Sequence, residues 1–323
     1  MRAVETGREA ERRGRRLQHL QELGDFFDNS IAACEEVRRT GNRNRQAIRV
    51  RNGYITSDDK APSPPPITRL LPPRGIPLQV HLLALYQAQC RYPDGRQVGP
   101  NERPVHPNGR ERAISWSDLI LSGSAPSVRT NLARQFNSAV LFLERNRLVR
   151  LLRTGNGRFG GFQLLYEDGR SQSDAEESMS YTTPMADEHA VRLPCEFFTK
   201  GWVHVLSPAE ISVYLMLRHL RGRYWREHDE NGVYATDSVR RAAYGVRPDS
   251  YERHRELAAY GLIETIRESR RRPDGRIAGF GKVDGADRPK PYRFKLASDS
   301  CFKRNAREVV MSALMSLSSV RSV

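Results

Sequence analysis

Apolar residues recur at helical spacing in several separated stretches, and short β-like runs follow two of them. Residues 8–39 place Leu17, Leu20, Phe27, Ile31 and Cys34 close to one stripe, which predicts a helical N-terminal arm. Residues 78–89, LQVHLLALYQAQ, put Leu78, Leu82, Leu85 and Tyr86 on one helix face. After the Pro/Gly-rich stretch 92–109 comes SWSDLILSG, a short helix with Ser115 as its N-cap and Gly123 as its stop. A third helix opens at Pro126–Ser127 and runs to about Glu144. Val128, Leu132, Phe136, Ala139, Val140 and Leu143 form its buried stripe, with Thr130, Arg134 and Asn137 opposite. A strand at 148–153, the glycine-rich turn TGNGRFGG and a strand at 162–167 complete the block.

A second block repeats this order. Ser207 as N-cap, Pro208 at the first helical position and Glu210 three residues after the serine make a capping box. Asn231-Gly232 predicts a turn, VYA a short strand, and Thr236 or Asp237 caps a second helix. A third helix, 248–260, has Tyr251, His254, Leu257 and Ala258 inward and Asp249, Arg253 and Glu256 outward. Gly261 stops it, and LIETIRES and YRFKLA are strands flanking a long polar segment. AIRVRNGYIT predicts a hairpin around Asn52-Gly53, and residues 303–318 a last amphipathic helix with Val309, Val310, Leu314 and Leu317 on its apolar side.

Three helices and then a two-stranded hairpin is the order of a winged helix. The expected fold class is therefore α+β, mainly α with small β wings: tandem winged helix-turn-helix domains behind a helical N-terminal arm. The expected boundaries are 1–67 for the arm and the Pro-rich APSPPP spacer, 68–170 for the first domain and 171–189 for a flexible linker. The second domain follows at 190–300 and a C-terminal helix at 301–323. The run LSPAEISVYLML…NGVYA…RELAAYGLIETI resembles winged-helix domains of plasmid and phage replication initiators and related bacterial regulators, over roughly residues 192–297. That resemblance implies DNA binding.

Charge sharpens the picture. The 323 residues carry 53 Lys and Arg against 38 Asp and Glu, a formal +15, which points to a polyanionic partner. Only 6 of the cations are Lys, a skew that a GC-rich genome produces unaided, so distribution says more than the total. By segment the net charge is +3 for 1–67, +8 for 68–170, −5 for 171–189 and +9 for 190–323. Two basic blocks thus flank an acidic stretch.

The candidate DNA contacts of the first block are Thr130, Arg134 and Asn137 on the third helix, with Arg153 and Arg158 at the wing. Those of the second are Arg240, Arg241, Arg247, Ser250 and Arg253, with Arg270, Arg271, Arg272, Arg276 and Lys282 in the wing loop.

Other chemistry finds little support. No GxxxxGK[ST] loop and no His-x-His pair occur, and the four cysteines lie more than fifty residues apart without a CxxC. No enzyme, cofactor or metal is expected. Glu227, Asp229 and Glu230 read as a polar loop rather than a cation site. No apolar stretch approaches the length of a membrane span.

The sequence thus predicts a cytoplasmic, nucleoid-associated protein that binds double-stranded DNA sequence-specifically as a transcriptional regulator. The alternatives are a plasmid or phage replication initiator at repeated origin sites, or a DNA-partition or structural adaptor. A homodimer through the arm or the C-terminal helix is a further expectation, and no membrane partner is expected.

Overall fold

Gly24, at φ +44°, breaks the predicted arm helix into α1 (Gly7–Glu22) and α2 (Gly24–Thr40). The computed structural model describes residues 7–41, 45–57, 63–72, 76–107, 113–120, 126–155, 157–168, 179–266 and 291–319. The chain continues through β1 (Ala47–Arg51) and two helical turns, α3 (Asn52–Ile55) and α4 (Pro66–Arg69). The first block holds α5 (Pro77–Arg91), α6 (Trp116–Leu119), α7 (Pro126–Arg145), β2 (Val149–Leu151) and β3 (Phe162–Leu164). Then come β4 (Ala190–Pro194), α8 (Glu196–Thr199), α9 (Trp202–Val205), α10 (Pro208–Arg223), α11 (Trp225–Asn231) and α12 (Asp237–Ala242). The chain ends with α13 (Pro248–Tyr251), α14 (His254–Ala259), β5 (Ile263–Ile266), β6 (Arg293–Leu296), a 3-10 turn (Asp299–Lys303) and α15 (Ala306–Ser319). The protein is mainly helical, with small two-stranded antiparallel sheets. No helix among the described residues is long and apolar enough to cross a membrane.

The predicted caps form. Ser207 Oγ accepts from the Glu210 amide while the Glu210 carboxylate accepts from the Ser207 amide. Ser115 and Asp118 make the same box at α6. Each box satisfies amides that the first helical turn leaves without partners.

The two blocks share more than an order. Asn101, between α5 and α6, bridges to Phe162 of β3; Val233, between α10 and α12, bridges to Phe294 of β6. The Leu148 amide donates to the Leu143 carbonyl, and the Leu262 amide to the Leu257 carbonyl. One residue earlier in each case the backbone is left-handed, Arg147 at φ +55° and Gly261 at φ +70°. Phe162 packs near Trp116, which meets Phe136, and Phe294 packs against Tyr251 and His254. These contacts fall at corresponding places in the element order of the two blocks.

Four expectations are corrected by packing. The hairpin at Asn52-Gly53 does not form: β1 pairs antiparallel with β4, Ala47 opposite Pro194 and Arg51 opposite Ala190. A strand with Ile48 and Val50 both fully buried needs a partner inside the core, and a local hairpin does not supply one. Gly53 serves a close approach instead, since a Cβ there would lie 2.7 Å from the Asp168 carbonyl oxygen.

The acidic stretch is no free linker where it is described. Tyr181 is buried, Ser180 bridges Leu165, Thr182 bridges Gln97, and Glu188 pairs with Arg51 at 2.8 Å. The Pro-rich spacer is likewise packed: Pro65 and Pro66 are buried, and a Cβ at Gly245 would sit 2.8 Å from Pro64. Finally, the 248–260 helix is two pieces, α13 and α14, with Glu256 buried rather than outward.

The arm joins both blocks. α2 packs on α5, α6 and α8, whereas α1 packs on α15. Leu20, Leu23, Phe27, Cys34 and Val37 of the arm are buried within the chain, as are Val310 and Leu314 of α15. The side-chain amide of Gln89 on α5 acts as a substitute strand, accepting from the Arg49 amide and donating to the Arg49 carbonyl, at 2.8 and 2.7 Å.

Candidate nucleic-acid interface

α7 presents an open face. Leu132, Phe136, Ala139, Val140 and Leu143 are buried as the periodicity predicts, and Asn131, Arg134, Gln135, Ser138 and Arg145 are exposed. The solvent face is rotated from the predicted one. Arg134 lies on it, donating among the described residues to Asn131 at 3.2 Å, whereas Asn137 is half-buried with its Oδ1 enclosed. Thr130 lies in α7, but its side chain falls outside the described residues.

At the first hairpin, Arg153 and Arg158 are exposed, the latter pairing with Glu144 at 3.1 Å. Arg150 joins them from β2, where the buried–exposed alternation of Val149 and Arg150 turns it outward. Arg150, Gln135 and Ser138 were missed in the sequence, although the period of each element already contained the signal.

The second block treats its cations differently. Arg240 is only 6% exposed; it pairs with Asp237 and lies 4.3 Å over the Tyr251 ring. A guanidinium so enclosed cannot reach a base edge, and its expected role as a DNA contact is corrected here. Arg253 is mostly covered and donates to Glu256 at 2.7 Å. Arg241 is exposed and pairs with Asp237 at 2.9 Å, Arg247 is exposed at the start of α13, and Ser250 is half-buried. Arg255 on α14 is also exposed. The wing residues Arg270, Arg271, Arg272, Arg276 and Lys282 lie outside the described residues.

Beneath these surfaces lie two buried ion pairs, each formed with an arginine of residues 1–67. Arg16 of α1 donates to both Glu210 oxygens, at 2.7 and 2.8 Å, and Tyr260 donates to the same carboxylate. Burial raises the Glu210 pKa, but Arg16 and the Ser207 cap outweigh it and hold the carboxyl below its ordinary value. Glu256 gathers Arg12 at 3.2 Å together with Arg253.

In the first block, Arg51 donates to Glu167 at 3.0 Å, to Glu188 at 2.8 Å and to the Thr182 carbonyl at 2.9 Å. Burial of Glu167 is the larger effect there and pushes its pKa up to about 7 despite Arg51.

The acidic group Glu227, Asp229 and Glu230, expected in a loop, lies on α11 and is engaged by its own neighbours. Glu227 accepts from Tyr234, Asp229 pairs with Arg221, and His228 is buried against the Leu220 carbonyl. Among the described residues no group of three His, Cys, Asp or Glu is placed to hold a metal ion. The four cysteines are free thiols, and Cys34, Cys90 and Cys195 are buried. No family model, curated protein or solved structure matches the chain.

Proposed function

We propose that this protein reads double-stranded DNA sequence-specifically with two winged-helix units and acts as a nucleoid-associated transcriptional regulator. The observation that carries the reading is the open face of α7, where Arg134 stands beside exposed Asn131, Gln135 and Ser138 and the hairpin adds Arg150, Arg153 and Arg158. A helix face with Arg and amide side chains suits major-groove base edges, and cations on a flanking wing suit phosphates. The shared order, helix, bridge, helix, helix and hairpin, supports reading both blocks as winged helices. In the second block, Arg241, Arg247 and Arg255 supply the exposed cations.

The replication-initiator reading is the second candidate. It is favoured by the exposed aromatic pair Tyr224–Trp225, which duplex reading leaves unused. The adaptor reading has less support, because the apolar stripes of the arm and of α15 are spent on intrachain packing. The same burial counts against a homodimer built on them.

Binding-site selection on genomic duplex fragments at physiological salt tests the proposal. A recurring sequence is the expected result, and Arg134→Ala should lose affinity for it more than for random DNA. Retention with no shared sequence overturns sequence-specific reading. Scattered promoter sites support the regulator, and clustered repeats at one locus replace it with the initiator.

A further inference from the structure

We infer that Tyr224 and Trp225 form a stacking ledge for a single strand of nucleic acid, on a surface separate from the α7 face. Trp225 is 61% exposed and Tyr224 46%, and Trp225 is the most exposed of the large hydrophobic side chains among the described residues. The local fold puts them there. α10 ends at Tyr224, whose backbone leaves the helical region at φ −124°, ψ 47°, and α11 restarts at Trp225 in a new direction. Tyr224 is steadied edge-on by buried His228, with ring centres 5.7 Å apart. Among the described residues, Trp225 has no aromatic neighbour of that kind.

Charge identifies the occupant. The segment RHLRGRYWR places four arginines within nine residues. Arg218 and Arg221 are paired, with Asp299 and Asp229. Arg223 and Arg226 have no carboxylate partner among the described residues; they lie 5.5 Å over Tyr224 and 5.3 Å over Trp225. Each ring thus carries a guanidinium and remains substantially exposed to solvent.

Two consecutive aromatic planes with unneutralised cations suit unpaired bases joined by phosphates. A duplex offers its base faces only at its ends, so the ledge discriminates for strands. A protein hot spot is a poorer fit, since the flanking residues Arg221, Gly222, Arg226 and Glu227 are exposed and none is a large apolar side chain. Trp225 also lines an open cleft of about 1570 Å³ together with Asn52, Ser57, Ser63, Arg221 and Arg223, a cleft that Asp168, Glu188, Asp229 and Asp299 line as well. The inference does not depend on duplex reading by α7.

The tryptophans make the test specific. Trp116 and Trp202 are fully buried, so solvent-exposed emission comes from Trp225. The full chain is titrated with a labelled oligothymidylate of about twenty nucleotides, following anisotropy and tryptophan emission. Binding with quenched emission is expected. Trp225→Ala should weaken binding roughly tenfold or more, Trp225→Phe should stay within about threefold, and duplex affinity should not change in either. Unchanged oligothymidylate affinity in Trp225→Ala overturns the inference, including the case in which the ledge holds a protein. Equal losses on strand and duplex overturn it as well. Failure of duplex recognition is read separately, through Arg134→Ala.

Discussion

The two basic blocks share an order of elements and part company in how their arginines are used. In the first, Arg134, Arg150 and Arg153 stand in solvent on and beside one continuous helix. In the second, the helix is broken, Arg240 lies on Tyr251, and Arg253 is held by a glutamate that Arg12 of the arm also grips. The first block leaves its arginines open to solvent, and the second is the part to which the arm is fastened. A residue's place on a helix face follows from periodicity. Its freedom follows from carboxylates that periodicity does not see.

The buried carboxylates extend the contrast. Glu210 is bracketed by Arg16, a cap amide and a tyrosine hydroxyl, and it stays ionised. Glu167 has Arg51, but Arg51 is shared with Glu188 and Thr182, and burial dominates. Two superficially similar pairs therefore respond oppositely to pH.

The largest expected effect tests the fastening. Arg16→Ala leaves Glu210 buried without its cation and should cost about 3–5 kcal/mol in urea denaturation. Hydrogen exchange should show α10 and α14 losing protection before α5 and α7. Equal loss in both units would mean that they do not differ in how they are held.

Next comes pH. Glu167 rises from an ordinary 4.5 to about 7, so the folded unit keeps a proton that the unfolded chain gives up. Its stabilisation is fully present below about pH 4.5 and is lost as pH rises through about 7, by about 3 kcal/mol at the usual energy per unit. Glu210, held below its ordinary value, does the reverse: its contribution is present above the ordinary carboxylate range and fades as pH falls through the folded value. In Glu167→Gln, stability between pH 5 and 7 should become flatter than in the parent. An unchanged slope would remove the distinction between the two pairs.

Recognition should divide in the same way. Arg134→Ala should lose about 1–3 kcal/mol on the selected DNA site. Arg253→Ala, already spent on Glu256, should lose less than about 0.5 kcal/mol. Binding titrations giving equal losses would return the second helix to a reading role.

The smallest effect concerns the turn before the hairpin, left-handed in both units. Gly261→Ala should destabilise by about 1 kcal/mol, and Arg147→Gly should recover at most a similar amount. Thermal denaturation of the two variants compares these corresponding turns directly.

Much of the local structure was legible in the sequence because its causes are local. Ser207 with Glu210 announced the start of α10, Pro126 that of α7, and Gly261 the end of α14. The buried stripe of α7 followed from spacing alone. Its open face was misjudged toward Asn137, because the width of a helix's buried side depends on what packs against its edges. Trp225 gave no signal by pattern, since an aromatic next to an apolar helix reads as core until the chain kinks at Tyr224.

What the sequence by itself determined was the longer helices α5, α7, α10 and α15, the caps of α6, α10 and α12, the similar order of elements in two basic blocks and the excess of positive charge. Tertiary structure alone decided that Ala47–Arg51 pairs with Ala190–Pro194, that Tyr181 and Pro65–Pro66 are packed, and that Arg240 and Arg253 are tied down while Arg134 is not. The reason is range. Caps and periodicities are set by neighbours a few residues away, whereas strand partners and buried ion pairs join residues such as Arg16 and Glu210, which meet only when the whole chain has folded.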